Sequence, residues 1–299
     1  MENTMGKKLL FIYNPHSGKG LIRNYLADIV DTMVKAGFEV TIYPTQAPAD
    51  ATRKVQEEAS RYDRIVCSGG DGTLDEVVTG MMSLQQRVPI GYIPAGSTND
   101  FGNSLGIDKD MRRAAEIAVN GRPYPVDIGR FNKDNFVYVA AFGIFTEVSY
   151  ATSQDLKNAL GHVAYLLEAV KQLADIPSFR MQVEYDGNML YDEFIYGMIT
   201  NTKSVGGMKG IIPGAIDLQD GVFEVTLIRT PKTPIDLTDI VNFLLGNSKE
   251  SEFVYSFQTG ELKFTAAEQV PWTLDGEFGG AHEVVNVKNM HEAVEIMVE

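Results

Sequence analysis

Several residue types and patterns are scarce in this sequence of 299 residues. It has one cysteine, Cys67, so the chain cannot close an internal disulfide, and a reducing compartment is expected. No apolar run approaches the roughly 18 residues of a transmembrane helix, and the apolar run at 9–13 is too short for the core of a signal peptide. We therefore expect a cytoplasmic protein whose contact with membranes is peripheral.

Basic residues are also scarce. Lys and Arg number 26 against 40 Asp and Glu, which gives a formal net charge of −14. A surface this acidic repels phosphate backbones, so no nucleic-acid partner is expected. The hydrophobic fraction of 44% and the length are ample for a packed core, and they favour about two domains over disorder or a disulfide-stapled scaffold.

The first part of the chain alternates between two patterns. Short apolar or β-branched runs predict strands, and apolar residues at helical spacing predict helices between them. The predicted strands are 8–13, 39–43, 64–67 and 89–93, and the predicted helices are 21–36, 49–61, 74–82 and 111–119. This alternation is typical of an α/β domain with a parallel, doubly wound sheet, here assigned to residues 1–125.

The pattern changes after about residue 125. Extended runs separated by Asp-Gly turns predict a mostly antiparallel β domain over residues 126–299, with room for the extreme C-terminus to pack back on the first domain. The runs are 124–131, 136–142, 179–185, 192–200, 222–229, 263–266, 270–274 and 284–287, with helices at 156–174 and 235–245. Because no flexible linker joins the two domains, we expect a rigid interface with the active site in the interdomain cleft.

Three polar, glycine-bearing loops follow predicted strands. They are 14–20 (NPHSGKG) after the first strand, 68–76 (SGGDGTLDE) after the third and 94–100 (PAGSTND) after the fourth. The carboxyl ends of parallel strands meet at one edge of a sheet, so the loops should converge there as a phosphate cradle. Asp71 among phosphates requires a cation nearby. The plainer alternative for 68–76 is a glycine-rich turn with a capping Asp.

Other candidate residues have equally plain alternatives. Asp217 and Asp220 offer oxygen ligands suited to Mg²⁺, or they form an ordinary acidic turn. Glu277 is either a catalytic base or a solvated residue of a hairpin turn. Lys19 and Arg23 either contact phosphate or lie on a solvated helix face. Side chains that we expect to pack or lie at the surface rather than do chemistry are His162, His282, His291, Cys67 and Trp272. His16 has the same plain reading, but it lies in the first phosphate loop and so stays a candidate.

Taken together, the motifs resemble a known family. The NPxSGK, GGDGT and PxGSTNDF loops and the late LDGE at 274–277 are similar to the diacylglycerol-kinase catalytic family of soluble lipid kinases, which includes sphingosine kinases. Further matches run through nearly the whole chain, at 126–129, 146–150, 213–215 and 220–223. GGDGT alone is shared with NAD kinases and phosphofructokinases, so the full ordered set carries the resemblance.

The resemblance implies roles for particular residues. Asp71 would organise Mg²⁺ and water at the transferred phosphate, and Glu277 would be the general base. Asp217, Asp220 and the Val222 carbonyl would hold a second, structural Mg²⁺. The family's usual Asn after GGDGTL is Asp75 here, which puts an amide contact from that position to the nucleotide in doubt. The ATP site would comprise Asn14, Pro15, His16, Ser17, Gly18, Thr45, Gly70, Asp71, Gly72, Thr73, Leu74, Asp75, Glu76 and Ser97.

The activity implied is phosphorylation of diacylglycerol by ATP and Mg²⁺ to give phosphatidic acid. Two enzymatic alternatives stay open, a kinase for another lipid alcohol such as a sphingoid base, and NAD kinase. A non-catalytic nucleotide- or lipid-binding regulator is the third. Helix 156–174 has enough apolar surface to line a lipid cleft, but we expect its apolar stripe to pack in the core, with the lipid cleft as the alternative. Lys157, Lys171, Lys203 and Lys209 would form a positive rim for peripheral membrane contact. A homodimer is an open alternative to a monomer.

Overall fold

The computed structural model describes residues 6–144, 176–202, 204–205, 208–209, 217–244, 247–248 and 250–299. The predicted helix at 156–174 and the motifs at 146–150 and 213–215 lie outside these residues, as do His162, Lys157, Lys171 and Lys203. The chain divides into two compact units. The first comprises Met1–Asp127 with Glu292–Glu299, and the second comprises Ile128–His291.

The strands and helices of the first unit alternate along the chain. In order they are β1 (Lys7–Tyr13), α1 (Ile22–Lys35), β2 (Phe38–Pro44), α2 (Asp50–Glu58), β3 (Arg64–Gly69), α3 (Asp71–Met82), β4 (Ile90–Pro94), α4 (Asp100–Ser104), α5 (Met111–Asn120) and the start of β5 (Arg122–Phe131). The unit is therefore α/β, as predicted.

The strands of the first unit form a parallel sheet in the order β2-β1-β3-β4. The chain leaves β1 toward β2 on one side and returns to β3 on the other, so the strand order reverses between β1 and β3. In open α/β sheets, ligands bind at the carboxyl ends of the strands at such a reversal. The Ile296 end of the last strand pairs in parallel with Ile90 of β4.

Apolar sequence runs explain why these strands lie inside the unit. Leu9, Leu10, Phe11 and Ile12 of β1 are fully buried, as expected for a strand that is covered on both faces. The helices contribute apolar faces of their own, for example Ile29 and Met33 of α1, Val77 and Met81 of α3, and Ala114 and Ala118 of α5. Burial of these faces, about 25 cal/mol per Å², supplies most of the driving force.

The second unit is mostly β. Its elements are the end of β5, β6 (Asp134–Phe136), β7 (Val139–Gly143), β8 (Phe179–Tyr185), β9 (Asn188–Thr200), β10 (Ser204–Val205), β11 (Met208–Lys209), β12 (Phe223–Arg229), α6 (Pro234–Leu244), β13 (Val254–Thr259), β14 (Glu261–Leu274) and β15 (Glu277–Val298), which continues into the first unit. Antiparallel pairs join β13 to β12, β12 to β9, β9 to β7 and β8, and β14 to β7, β8 and β15.

An aromatic cluster fills the core of the second unit. Trp272 is 1% exposed, and its ring lies 4.8 Å from the ring of Phe142 and 5.1 Å from those of Phe131 and Phe264. Aromatic pairs at these distances contribute beyond their buried area. The expectation that Trp272 packs in the core is therefore confirmed.

Several predicted boundaries were wrong. The strand predicted at 136–142 is interrupted between Phe136 and Val139, and the strands predicted at 263–266 and 270–274 are one strand, β14. Helix α3 begins at Asp71 rather than at residue 74, which places residues 71–73 (DGT) in its first turn. Strand β13 was not predicted. Among the described residues, no helix is long and apolar enough to cross a membrane.

Candidate active site

The three glycine-bearing loops of the first unit meet at the carboxyl edge of its sheet. The Asn14 N–H donates to the Ser68 carbonyl (2.9 Å), and the Ala95 N–H donates to the Gly69 carbonyl (2.8 Å). At the outer strand, the Thr45 N–H donates to the Tyr13 carbonyl (2.9 Å). The main chain itself therefore joins the ends of β1, β2, β3 and β4, as the sequence predicted for the loops at 14–20, 68–76 and 94–100.

Glycine lets these loops approach one another closely. Gly18 has φ +55°, and a methyl group there would lie 2.3 Å from the Ala95 carbonyl oxygen. A methyl group at Gly96 would lie 2.6 Å from Gly70 Cα. Side chains at these positions would force the loops apart, because ordinary contacts begin near 3.4 Å. Gly70 then precedes α3, whose first-turn N–H groups favour an anion.

Two acidic side chains lie together beside these loops. Asp71 accepts hydrogen bonds from the Thr98 hydroxyl (3.2 Å) and the Phe101 N–H (3.4 Å). Burial raises the pKa of Asp71, and the negative charge of Asp100, which is 1% exposed, raises it further. Such a pair is stabilised by a bound cation or by a shared proton. Oxygen donors of this kind suit a divalent metal.

A buried tyrosine and an asparagine hold the loops after β3 and β4, and sequence reasoning missed both. The Tyr92 hydroxyl lies 3.1 Å from the Gly69 carbonyl and 3.2 Å from Asn99 Oδ1. Asn99 has φ +51°, accepts from the Gly96 N–H (2.9 Å) and donates to the Gly96 carbonyl (2.9 Å). The available signal was Asn99 inside a loop rich in turn residues, since Asn tolerates a positive φ.

Glu76, one of the predicted ATP-site residues, is engaged with helix α2. Its two carboxylate oxygens accept the N–H groups of Ala49 (2.9 Å) and Ala51 (3.0 Å). Its carbonyl accepts the Thr52 hydroxyl (2.8 Å). Glu76 thus satisfies N–H groups at the start of α2 that have no partner within the helix.

The remaining predicted ATP-site residues lie in the three loops, in the first turns of α3 and at the end of β2. Asn14 Oδ1 accepts the His16 N–H (2.9 Å), and the Thr73 and Leu74 N–H groups donate to the Gly70 carbonyl. Side-chain exposure varies among them. His16, Gly18, Gly72 and Ser97 are exposed, Thr73 and Leu74 are buried, and Asn14, Pro15, Ser17, Thr45, Gly70 and Asp75 are half-buried.

Glu277 belongs to the second unit and begins β15. A two-residue turn, Asp275-Gly276, joins β14 to β15, and both turn residues have positive φ, +50° and +89°. Positive φ at both positions is the geometry of a type I′ hairpin turn, which Asp-Gly favours. The Asp-Gly turn predicted here is confirmed, and the hairpin that was the plainer alternative for Glu277 is present. Glu277 is exposed, whereas Asp275 is buried.

The acidic loop before β12 also lies in the second unit. Asp217 Oδ1 accepts the Gln219 N–H (3.2 Å), and Asp220 Oδ1 accepts the Val222 N–H (3.1 Å). The Val222 carbonyl accepts from Asn289 Nδ2 (3.3 Å). Within the described ranges, no group of three or more His, Cys, Asp or Glu side chains is placed to hold a metal ion. A metal here would need the Val222 carbonyl beside the two carboxylates.

Cys67 and His282, for which the sequence predicted no chemical role, make packing contacts, whereas the role of Lys19 and Arg23 had stayed open. Cys67 is fully buried in β3, and burial raises the pKa of its thiol, so it is not a nucleophile. The His282 ring lies 2.9 Å from the Gly279 carbonyl and 5.5 Å from the Phe131 ring. Lys19 and Arg23 are exposed and join no ion pair in the part of the chain that the structure describes.

Comparisons with known proteins show the family of this chain. Residues 8–131 match the diacylglycerol kinase catalytic domain, and residues 139–298 match the YegS C-terminal NAD kinase beta sandwich-like domain. A protein named diacylglycerol kinase from Bacillus subtilis (strain 168) is 34% identical over 92% of this chain and 91% of its own length. The chain belongs to this family.

Other members extend the family match. A diacylglycerol kinase from Staphylococcus carnosus (strain TM300) is 34% identical over 98% of this chain and 95% of its own length. The solved structure of a diacylglycerol kinase from Bacillus anthracis str. Sterne has a TM-score of 0.76 at 22% identity and covers 99% of this chain and 98% of that chain. At that identity the likeness establishes the fold alone. Membership in a kinase family implies a divalent metal cofactor in general.

Proposed function

We propose that this chain transfers the γ-phosphoryl group of ATP to the hydroxyl of diacylglycerol, giving phosphatidic acid and ADP. The observation that carries the proposal is the meeting of three glycine-bearing loops at the strand-order reversal of the first unit, in a chain of the diacylglycerol kinase family. Backbone N–H groups and the N-terminus of α3 suit phosphate there. A full-length likeness to proteins named diacylglycerol kinase supports the lipid acceptor.

Each reacting atom has a proposed partner. The acceptor oxygen attacks the γ-phosphorus in line, the bond from that phosphorus to the β–γ bridging oxygen breaks, and ADP leaves with the electron pair. Glu277 takes the hydroxyl proton and passes it to solvent. An exposed carboxylate is a weak base for an alcohol, so this transfer becomes favourable late in the step, as the new bond forms.

Mg²⁺ is the proposed metal, and the donor chemistry of two regions fits it. Asp71 beside Asp100 would hold the ion that neutralises charge on the phosphates, since the repulsion between these acids is relieved by a cation. Asp217, Asp220 and the Val222 carbonyl would hold a second ion that stabilises the loop before β12. In each case the chain supplies oxygen ligands, which Mg²⁺ prefers.

Finer features belong to the same proposal. We expect the parallel sheet to be doubly wound, the first domain to end near residue 125, the ATP-site residues to act as assigned above, and the protein to work in the cytoplasm with peripheral membrane contact. A homodimer is the alternative to a monomer. Sedimentation with anionic vesicles measures the membrane contact, and sedimentation velocity measures the oligomeric state. If the protein stays in the supernatant at every vesicle concentration, the expected membrane contact is contradicted.

Replacement of Glu277 tests the proposed base. Glu277→Gln keeps the size and hairpin position but cannot take a proton, so turnover should fall by about 100-fold or more while ATP affinity stays within about twofold. Labelled ATP, Mg²⁺ and short-chain diacylglycerol, with lipid products separated by thin-layer chromatography, give the rate. Glu283→Gln, at an exposed glutamate of the same strand, is the control and should retain wild-type turnover. Equal rates for the two variants would remove Glu277 from the base role.

The same assay separates the rival activities. With NAD as acceptor, a labelled NADP spot and no labelled lipid would overturn the proposal in favour of NAD kinase. A panel that adds sphingosine, ceramide and other lipid alcohols ranks the acceptors, and preference for one of them over diacylglycerol would redirect the proposal. No phosphorylated product from any acceptor would favour a binding regulator.

A further inference from the structure

The turn residue that precedes Glu277 by two positions is buried, which is unusual for a hairpin tip. Asp275 is 8% exposed, although it is the first residue of the two-residue turn between β14 and β15. The turn conformation alone does not require this burial, because Asp-Gly and Asn-Gly both form type I′ turns in solvent. The carboxylate of Asp275 therefore has a second task.

That task is visible in its hydrogen bonds. Asp275 Oδ2 accepts the Val137 N–H (2.5 Å), and Oδ1 accepts the N–H groups of Tyr138 and Val139 (both 2.9 Å). The main chain of Asp275 adds two contacts, since its N–H donates to the Val139 carbonyl (2.8 Å) and its carbonyl accepts the Tyr138 hydroxyl (3.3 Å). A single residue thus makes five hydrogen bonds with three consecutive residues.

The segment that receives these bonds is itself fixed in the core. Val139 begins β7, which pairs with β14 through Ala140 opposite Leu274 and Phe142 opposite Trp272. Phe142 and Trp272 belong to the aromatic cluster described above. Asp275 consequently ties the tip of the hairpin to a strand that packs in the aromatic core of the second unit, two residues from Glu277.

We infer that Asp275 is a positioning residue for Glu277, acting by anchoring the hairpin tip to residues 137–139. The inference rests on the proposed function, in which Glu277 is the base. Glu277 is exposed, so the direction of its carboxylate depends on where the hairpin places its Cα. Mobility of the tip by about 1 Å would be enough to slow a proton transfer that requires hydrogen-bond distance.

Asp275→Asn tests this role while preserving the turn. Asparagine keeps one acceptor oxygen, but its amide NH₂ would face the Val137 N–H, donor against donor. We expect kcat to fall by about 10- to 100-fold with the KM for ATP unchanged. Steady-state kinetics with short-chain diacylglycerol give both constants.

The chain offers a matched control. Asp186-Gly187 forms another two-residue turn with positive φ at both positions, +46° and +77°, between β8 and β9. Asp186 is exposed. Asp186→Asn is therefore the same substitution in the same turn type without the anchoring contacts, and it should leave kcat within about twofold of wild type. An Asp275→Asn enzyme as active as Asp186→Asn would overturn the inference.

A double variant distinguishes positioning of Glu277 from general damage. If Asp275 acts through Glu277, the double variant Asp275→Asn/Glu277→Gln should be no slower than Glu277→Gln alone. A further loss of the size seen in the single variant would mean that Asp275 acts elsewhere, and would overturn the inference. Full turnover by Glu277→Gln instead removes the base role on which the inference rests, and is a separate failure.

A gentler variant covers the case in which Asp275→Asn does not fold. Tyr138→Phe removes only the hydroxyl that donates to the Asp275 carbonyl and keeps the buried ring. It should lower kcat by about two- to fivefold at unchanged KM for ATP, since one of five contacts is lost. Wild-type kcat in this variant would count against the anchoring role.

Discussion

The two units position their candidate residues by different means. In the first unit, main-chain hydrogen bonds and close glycine contacts bring the loops together, as between Asn14 and Ser68 or at Gly18 beside Ala95. In the second unit, the loops at Asp275 and Asp220 are held mainly by carboxylates that accept main-chain N–H groups, a contact that Glu76 adds at the start of α2 in the first unit. Loops that are held by main-chain hydrogen bonds should tolerate changes of side-chain charge but not added side-chain volume. Segments that are held by carboxylates should instead be sensitive to loss of the negative charge.

The largest effect is expected from added volume in the first unit. Gly18→Ala places a methyl group about 2.3 Å from the Ala95 carbonyl oxygen at a position with positive φ, so the loops after β1 and β4 must separate by about 1 Å. ATP affinity should fall by about 100-fold. Calorimetric titration of ATP into the folded variant measures the change.

Gly37→Ala is the control for backbone strain alone. Gly37 also has positive φ, +89°, but a methyl group there meets nothing within 4 Å. It should cost stability and leave ATP affinity unchanged. Equal losses of affinity in the two variants would show that strain, rather than loop separation, is responsible, and the proposed difference between the units would lose its basis.

A second effect is expected where the first unit does depend on charge. Asp71→Asn removes one of two neighbouring acids, so it should abolish most turnover and raise the free energy of unfolding by more than about 0.5 kcal/mol at neutral pH. The pKa of Asp71 is higher in the folded than in the unfolded protein. The stability of the wild type therefore falls as the pH rises from the unfolded pKa to the folded pKa, and this loss of stability remains at higher pH. The extra stability of Asp71→Asn over the wild type should therefore disappear at a pH below the unfolded pKa of Asp71.

Urea unfolding of both proteins across acidic and neutral pH measures this difference. The proteins should converge at low pH, where Asp71 is protonated in both states, and diverge as pH rises. A variant that is less stable than wild type at neutral pH would contradict the repulsion between Asp71 and Asp100. Such a result would instead make Asp71 a stabilising acceptor like Asp275.

The smallest effect is expected in the acidic loop of the second unit. If Mg²⁺ binds Asp217 and Asp220, the melting temperature of the wild type should rise with the logarithm of the Mg²⁺ concentration in the absence of nucleotide, and Asp217→Ala should lose the part of that rise that the acidic loop contributes. Asp134→Ala, at an exposed aspartate of β6, should keep it. A wild-type melting temperature insensitive to Mg²⁺ would exclude this metal site.

Much of the fold was predictable because local pattern and tertiary environment agree. The apolar run at 8–13 predicts β1 (Lys7–Tyr13) within one residue, and the helical spacing at 111–119 predicts α5 (Met111–Asn120). The break between β6 and β7 was not predictable. Val137 and Tyr138 are apolar and aromatic, as in a strand, but their N–H groups bond to Asp275, 138 and 137 residues further along the chain.

Some features of the candidate site were likewise predictable from the sequence, and others were not. Loops that follow parallel strands must share an edge of the sheet, so their convergence follows from the order of elements. The roles of Tyr92, Asn99 and Glu76 depend instead on which groups lie across from them. Nothing in the local sequence distinguishes Glu76, which satisfies the start of α2, from a glutamate that contacts a ligand.

The sequence by itself determined the two-part organisation, the strand and helix pattern, and the family, because these depend on residue periodicity and on motifs that are short and local. Only the tertiary structure decided which acids are buried together, as Asp71 is with Asp100, and which of two identical Asp-Gly turns is anchored. The physical reason is that burial and hydrogen bonding are set by residues distant in the chain. Asp186 and Asp275 have the same local conformation and different neighbours.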